Sequence, residues 1–461
     1  MFTNLTVLAE NDVTRFFKLV AEHINLSSFI PCEFYRAFYK HFGRKRKFSI
    51  LSFLNALLVK DLFKIPTIKA LINFIKASPE CAAFCNFSIV PDETKFSAFM
   101  TRFSKHIKSV FDNMVDHVLP ICKEINQKRA NSLIFDPTGV LANVHENNPK
   151  FVNGEIKKAK KLKKSNPDFN PYAYVYSNMP KAAAASDCPV PLSFVNGTFA
   201  YAHNFGIIAN ALGIPLDIVK LDKTSDASDN PASDKDLSDS KALKPAVSSF
   251  LKRHPDFVPY TFIGDAAFDN VDAYDFLLRD CKFQRAIIPI NPRAAKFQNA
   301  SDFDDNGFPF CNACQKPFKF VGSTGGANRA QRLKFLCPLS FNAPFNAVGN
   351  FRSFSACPNP CTDSCCRARY VSASSNYRLY PGDVPRNTQH WNNIYKQRPA
   401  VERTIFSLKS YSSSFTSTSR NSDTVFSNLV FGAIASLAIL ILARKLSTKS
   451  FKSFNQILKA A

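Results

Sequence analysis

Two aspartates that close apolar runs, and one polar stripe near the C-terminus, hold the residue types that could do chemistry in this sequence. Asp136 follows the run Asn131 to Phe135 in LIFDPTG, and Asp265 follows Tyr260 to Gly264 in FIGDAAFDN. Short apolar runs of this kind predict buried strands, and a carboxylate at a strand's C-terminal end lies at the open edge of a sheet, where ligands are bound. In a five-stranded sheet of order 3-2-1-4-5 the first and fourth strands are neighbours, so the two aspartates would stand side by side. Adjacent carboxylates repel each other unless a cation lies between them, and a divalent metal ion is the natural one. Taken singly, each acid reads as a turn or helix-cap residue.

The stripe is IYKQRPAVERTIFSLKSY. Tyr395, Arg398, Glu402 and Lys409 follow one another at intervals of 3, 4 and 7 residues. On one continuous helix these steps keep all four within an arc of roughly 60°. An acid flanked by two cations and a phenol suits a metal-ligating carboxylate with phosphate-holding neighbours; an exposed amphipathic helix with charge pairing is the plainer alternative.

The elements that must position these groups divide by texture. The chain has 461 residues, 46% hydrophobic and 21% charged, which excludes wholesale disorder and a multi-span membrane protein. Its net charge of +23 favours a polyanionic partner, nucleic acid ahead of an anionic membrane. Residues 1–128 carry helix-period apolar positions such as Phe48, Leu51, Leu54, Leu57 and Leu58, and predict a helical domain. Within it a helix, a short connection and a second helix N-capped by Asp92 could set Thr94, Lys95 and Arg102 against DNA, with Arg44, Lys45, Arg46 and Lys47 on phosphates. An ordinary bundle with a solvated basic face fits that region as well.

From about residue 129 to 292 the alternation of short runs and turns predicts an α/β domain, with strands at Asn131 to Phe135, 199–209, 214–221, Tyr260 to Gly264 and Arg285 to Ile290, a solvated loop at 222–241, and helices before Arg253 and at 271–279. Lys157, Lys158, Lys160, Lys161, Lys163 and Lys164 form either a solvated face or a phosphate-tracking loop. Residues 293–390 are rich in Cys, Asn and Pro and read as an insertion without a hydrophobic core of its own; Cys311, Cys314, Cys337 and either Cys357 or Cys361 could staple it through one zinc ion, or stand as thiols. Trp391, the only tryptophan, would anchor the insertion or stack on an unpaired base. Residues 391–461 return to helix. Their apolar segment Leu429 to Ala443 is short for a bilayer and predicts a buried helix packed on the catalytic domain, so a membrane-anchored basic protein is the third choice of function. The odd count of 13 Cys and the amphipathic N-terminus fit a reducing cytoplasmic setting.

Together, Y-x2-R-x3-E-x6-K and the acids in LIFDPTG and FIGDAAFDN resemble the DDE transposases of bacterial insertion sequences that carry the YREK signature. IVPDETKFSAF, YAHNFGIIANALGIP and RPAVERTIFSLK extend the likeness over most of the chain. The resemblance implies an RNase H-like catalytic domain with a helical N-terminal DNA-binding domain and a Cys-rich insertion. It also implies that Asp136, Asp265 and Glu402 ligate Mg2+ or Mn2+ while Tyr395, Arg398 and Lys409 touch the DNA backbone. The expected activity is metal-dependent cleavage of transposon ends and transfer of the 3′-hydroxyls to target DNA, by a homodimer on double-stranded DNA in a bacterial cytoplasm, without a membrane. A transposon-derived DNA-binding protein without catalysis is the alternative. Pro399 directly after Arg398 departs from the pattern: it fits the first turn of a helix but would break one already running, which would set Tyr395 and Arg398 before the regular helix. Pro137 after the first aspartate, where the family has a small flexible residue, departs as well.

Overall fold

The computed structural model describes residues 13–40, 42–162, 169–170, 174–175, 178–195, 198–221, 239–291, 308–311, 316–326, 329–338, 368–372, 384–386, 388–414 and 419–447. In chain order the helical start comprises α1 (Val13–His23), α2 (Cys32–Phe38), α3 (Ile50–Leu62), α4 (Ile68–Ala77), α5 (Pro79–Phe84), α6 (Glu93–Arg102) and α7 (Ser104–Ala130). There follow β1 (Ser132–Leu141), α8 (Pro149–Leu162), β2 (Leu192–Val195), β3 (Thr198–Asn210), β4 (Pro215–Lys220), α9 (Asp239–Arg253), β5 (Thr261–Ile263), α10 (Val271–Asp275) and β6 (Arg285–Ile287). The short strands β7 (Phe310–Cys311), β8 (Lys316–Pro317), β9 (Lys319–Gly326), β10 (Arg329–Leu336) and β11 (Ala368–Ser372) precede α11 (Gln389–Tyr395), α12 (Pro399–Tyr411) and α13 (Ser422–Lys445). Residues 222–238 of the expected solvated loop lie outside the described residues.

The six-stranded sheet has the order β2-β3-β1-β5-β6, with β4 also paired to β3. Read from β4, it runs β4-β3-β1-β5-β6, so the strands expected first and fourth are neighbours. β5 is parallel to β1 and to β6, whereas β3 and β4 are antiparallel. Strand β1 runs on through Pro137 to Leu141, five residues beyond the acid, so it is longer than the apolar run alone suggests. Proline has no N–H to give to a ladder, and Pro137 stands past Ile134, the last β1 residue paired with β5.

Two compact units divide the chain. The first contains Met1–Gln127, Pro137–Asp234 and Val401–Ala461. Its helices start where side chains accept the orphan amides of a first turn: Ser49 from Ser52 (3.0 Å), Thr67 from Ala70 (3.0 Å), Ser78 from Cys81 (3.2 Å) and Asp92 from Lys95 (3.1 Å). Phenylalanine rings fill the space between them. Phe53 stacks on Phe99 at 4.7 Å and meets Phe96 edge-on at 5.2 Å, geometries that add to the area they bury. The lysine run lies on α8, where Lys157, Lys158, Lys160 and Lys161 are exposed while Ile156 and Ala159 face a small core with Val175. It is the solvated face of an amphipathic helix; Lys163 and Lys164 lie outside the described residues.

Helix α13 closes this unit and corrects two expectations. It has 24 residues rather than 15, because the polar turn before the apolar segment is also helical, capped by Asn421 accepting from Thr424 (3.0 Å). By length and composition it could cross a membrane, but 89% of its apolar window is buried in protein. It packs on α1, α3 and α6 as well as on β4, so the N-terminal helices cover it as much as the sheet does. The polar side chains it buries are matched: Ser427 donates to the Met100 carbonyl (2.8 Å) and Thr424 pairs with Thr101 (2.8 Å). Gly432 brings α12 close, since a Cβ there would lie 2.8 Å from the Leu408 carbonyl oxygen.

The second unit contains Lys128–Asp136 and Lys235–Ala400. Its centre is the parallel ladder of β1 with β5 and β6, walled by Phe135, Phe262, Phe268 and Phe283. The expected insertion forms an antiparallel sheet, β9-β10-β11, and a two-residue ladder, β7-β8. It does have an apolar core, contrary to expectation: Cys311, Phe318, Leu333, Phe335 and Cys337 are buried together, with Phe308, Phe320 and Val371 against them. The alternating side chains of β10 that the sequence pattern left unread supply it.

Candidate active site

The register of β1 on β5 builds the site. Ser132 pairs with Thr261, Leu133 with Phe262 and Ile134 with Ile263. Asp136 and Asp265 each stand two residues beyond the last paired position, which puts both at the same C-terminal edge of adjacent parallel strands. Gly264 is needed there for space, because a Cβ would come within 2.8 Å of the Phe262 ring and 3.0 Å of Phe268. Asp265 also caps the short turn after it, accepting from the Ala266 amide at 2.6 Å. A guanidinium spans the pair: one Arg398 nitrogen lies 3.4 Å from Asp136 Oδ1 and 3.4 Å from Asp265 Oδ2. The side chains are 20% exposed for Asp136, 51% for Asp265 and 16% for Arg398, so solvent reaches this ion cluster.

The next acid of the same segment is held differently. Asp269 accepts from the Tyr274 hydroxyl (2.9 Å) and the Asn291 amide (2.8 Å) and pairs with Arg386 at 3.4 Å, with 0% of its side chain exposed. Arg386 also donates to the Ile288 carbonyl at 3.1 Å and to the Tyr274 hydroxyl. Neither Asp269 nor Arg386 stood out in the sequence, since no spacing marks them. Their saturated, buried hydrogen bonding is that of a structural brace.

The polar stripe does not lie on one helix: the single-face reading gives way to the alternative that Pro399 raised, with Tyr395 and Arg398 ahead of the helix. α11 ends at Tyr395, and α12 begins at Pro399, so Arg398 sits in the turn between them, its amide donating to the Tyr395 carbonyl at 2.8 Å. The reason is Pro399, which has no N–H to continue a helix but fits the first position of a new one. Tyr395 is half-buried and its ring stacks on Trp391 at 5.0 Å and 20°. Trp391 itself is 6% exposed, an anchor for Tyr395 rather than a displayed base platform.

Glu402 and Lys409 both lie on α12, in the first compact unit. Glu402 is exposed in the first turn, where the helix dipole favours an acid. Lys409 is buried and donates to the Gly139 carbonyl of β1 at 2.7 Å. Burial holds its pKa down at about 8, below the usual lysine value. Its ammonium is therefore committed to β1, and the expected display toward DNA is not what this structure has. Gly139 is itself constrained, as a Cβ there would lie 2.6 Å from the Val195 side chain. Among the described residues, no three His, Cys, Asp or Glu side chains converge as a ready-made metal site.

The other candidates separate. Arg44, Lys45, Arg46 and Lys47 are exposed between α2 and α3, and Arg46 turns back, donating to the Phe38 carbonyl at 2.7 Å with its guanidinium 4.2 Å from the Phe38 ring. Lys95 is exposed in the first turn of α6, and Glu93, Thr94, Ser97, Ala98, Thr101 and Arg102 line a shallow depression on that helix. Of the proposed zinc ligands, Cys311 and Cys337 are part of the apolar core; Cys314, Cys357 and Cys361 lie outside the described residues.

With this geometry in place, comparison with known families is informative for the N-terminal helices. Residues 7–102 match the family model described as Transposase domain (DUF772). The match supports a transposase. Among curated proteins, none matches the chain at a significant level.

Proposed function

We propose that this chain is a DDE-type transposase that cleaves the ends of a mobile DNA element with divalent metal ions and joins the 3′-hydroxyls to target DNA. One observation carries the reading: Asp136 and Asp265 stand at matching positions, two residues past the paired stretch of the parallel strands β1 and β5, and both meet the Arg398 guanidinium. The strand order β4-β3-β1-β5-β6 supports an RNase H-like catalytic domain, and the transposase-domain match of residues 7–102 and the charge of +23 support a DNA substrate.

The donor set fits a hard cation. The paired groups are oxygen ligands aimed at one positive centre, which suits Mg2+ or Mn2+. Asp136, Asp265 and Glu402 would hold it, and such ions, when bound, activate water and stabilise the leaving oxygen in phosphodiester cleavage. Arg398 bridges the two aspartates, 3.4 Å from an oxygen of each, and with a metal ion in its place its guanidinium is at hand for a phosphate. Tyr395 is oriented for the same backbone by its stack on Trp391. Lys409 serves by fixing α12 to β1 through Gly139. The protein acts in the cytoplasm on chromosomal DNA, as a homodimer that brings two element ends together; zinc in the 293–390 region is a further proposal that metal analysis of the purified chain decides.

The test is Mg2+-dependent nicking of a duplex carrying the element's terminal repeat, comparing wild type with Asp136→Asn, Asp265→Asn and Glu402→Gln. Loss of nicking in all three with DNA binding retained supports the triad. Retained nicking in any one removes that residue from it, and binding without nicking by wild type means a DNA-binding protein without catalysis.

A further inference from the structure

The loop between α2 and α3 carries a feature the catalytic reading does not use. Phe42 is 92% exposed, the most exposed of the large apolar side chains among the described residues. A lone exposed apolar residue needs no explanation by itself, but this one has particular surroundings. Between Phe34 and Val59 the sequence has six Lys or Arg before Phe48 (Arg36, Lys40, Arg44, Lys45, Arg46 and Lys47) and no Asp or Glu. Just before Phe42 in the chain, Tyr35 on α2 and Tyr39 at its C-terminal cap are also exposed, 39% and 43%, with rings stacked at 6.3 Å and 17°. The surface is thus aromatic and cationic at once.

The loop is tied at its base. Arg46 is fixed by the Phe38 carbonyl and ring, and its guanidinium also lies 5.4 Å from the Phe103 ring. On the other side the Tyr39 hydroxyl accepts from the Ile50 amide at 3.2 Å, joining the end of α2 to the start of α3. Immediately after Phe42 the chain turns through Gly43 at φ +105°, a conformation that side-chain-bearing residues avoid. Nothing lies within 4 Å of where a Gly43 Cβ would be, so the glycine serves the backbone turn rather than a close contact. A tied base, a glycine turn and flanking cations present the ring outward instead of folding it onto the protein.

We propose that this loop sits on the phosphates of a DNA duplex and inserts the Phe42 ring between neighbouring base pairs, bending the duplex. Charge complementarity selects the polyanion: Arg44, Lys45 and Lys47 are exposed next to the ring, and Arg36 and Lys40 extend the basic strip along α2. Apolar wedges inserted at a base step unstack it and kink duplexes by about 20–90°. The inference rests on the DNA-binding part of the proposed function and adds how the N-terminal unit grips its substrate.

The experiment uses the full chain and a mixed-sequence duplex of about 24 base pairs with a fluorescence-transfer pair at its ends, titrated over a range of salt concentrations. Wild type should raise transfer on binding. Phe42→Ser should bind about tenfold more weakly, keep the wild-type salt slope and leave transfer at the free-duplex level, while Phe42→Trp restores it. The triple change Arg44→Gln, Lys45→Gln, Lys47→Gln should lower the slope of log affinity against log salt by about 2 to 3. Circular dichroism melting confirms that each variant is folded, which the exposure of these side chains makes the expected result. If Phe42→Ser bends DNA as wild type does, the wedge is wrong. An unchanged salt slope in the triple variant puts the loop off the DNA and overturns the proposal while DNA binding itself stands. No salt-sensitive binding by wild type overturns both this inference and the function it rests on.

Discussion

Two arginine–aspartate clusters within the second unit, built from one short segment, behave as opposites. In FIGDAAFDN, Asp265 meets Arg398, which also reaches Asp136, with half of the Asp265 side chain in solvent, whereas Asp269 meets Arg386 with none. Around Asp269 the Tyr274 hydroxyl and the Asn291 amide complete the carboxylate's hydrogen bonds, and the Ile288 carbonyl takes up the Arg386 Nε. The ion pairs at Asp136 and Asp265 are long, 3.4 Å each, and open to solvent, as the proposed exchange of Arg398 for a metal ion requires. A buried ion pair with every partner satisfied is a brace, and an exposed pair with exchangeable partners is a place for ligands.

Variants can break this comparison. The largest effect should come from Asp265→Asn or Asp136→Asn, each lowering nicking by roughly a thousandfold or more while leaving the thermal midpoint near that of wild type. If nicking persists in Asp265→Asn and vanishes in a folded Asp269→Asn, the roles assigned to the two acids are reversed. Asp269→Asn should instead cost about 3–5 kcal/mol of stability, because it leaves Arg386 buried without its counter-charge; urea titration followed by tryptophan fluorescence and circular dichroism reads this.

A third cation, Lys409, sharpens the contrast, since it is buried and donates to a carbonyl, that of Gly139. Its folded pKa of about 8 lies below the ordinary value of 10.5, so between those pH values the unfolded chain binds more protons than the folded one. Stability therefore rises with pH across that window, by about 3 kcal/mol in all, and the contribution is absent below it. Lys409→Met should flatten the change in urea midpoint between pH 7.5 and pH 10, and an unaltered pH profile would count against a neutral folded lysine. The smallest effect belongs to Arg398→Ala, which should change stability by less than about 1 kcal/mol because the pair it breaks is solvent-screened. A loss as large as that of Asp269→Asn would make the Arg398 cluster a brace as well.

Much of this was legible before any coordinates. The runs ending at Asp136 and Asp265 are apolar because their strands are buried, and buried strands announce themselves by composition. Asp92 as an N-cap was legible for a local reason too, since its carboxylate satisfies an amide three residues away. In the polar stripe the break at Pro399 was legible, because proline fits only the first turn of a helix, but not that the turn before it carries Arg398 to the acids. The core of the 293–390 region was missed because Phe318, Leu333 and Phe335 come from separate strands whose pairing no local pattern specifies.

What the sequence by itself determined are properties set within a few residues or summed over all of them: helix starts, strand runs, the acids that end them, and the basic charge that points to DNA. What only the tertiary structure decided is which charges are neighbours. Asp265 and Asp269 are four residues apart and alike on paper, yet one faces solvent beside Asp136 and the other is enclosed with Arg386, an arginine more than a hundred residues away. Burial and counter-charge depend on atoms brought from distant parts of the chain, and in a low-dielectric interior those atoms, not the residue type, decide whether a carboxylate is open to a ligand or holds the fold.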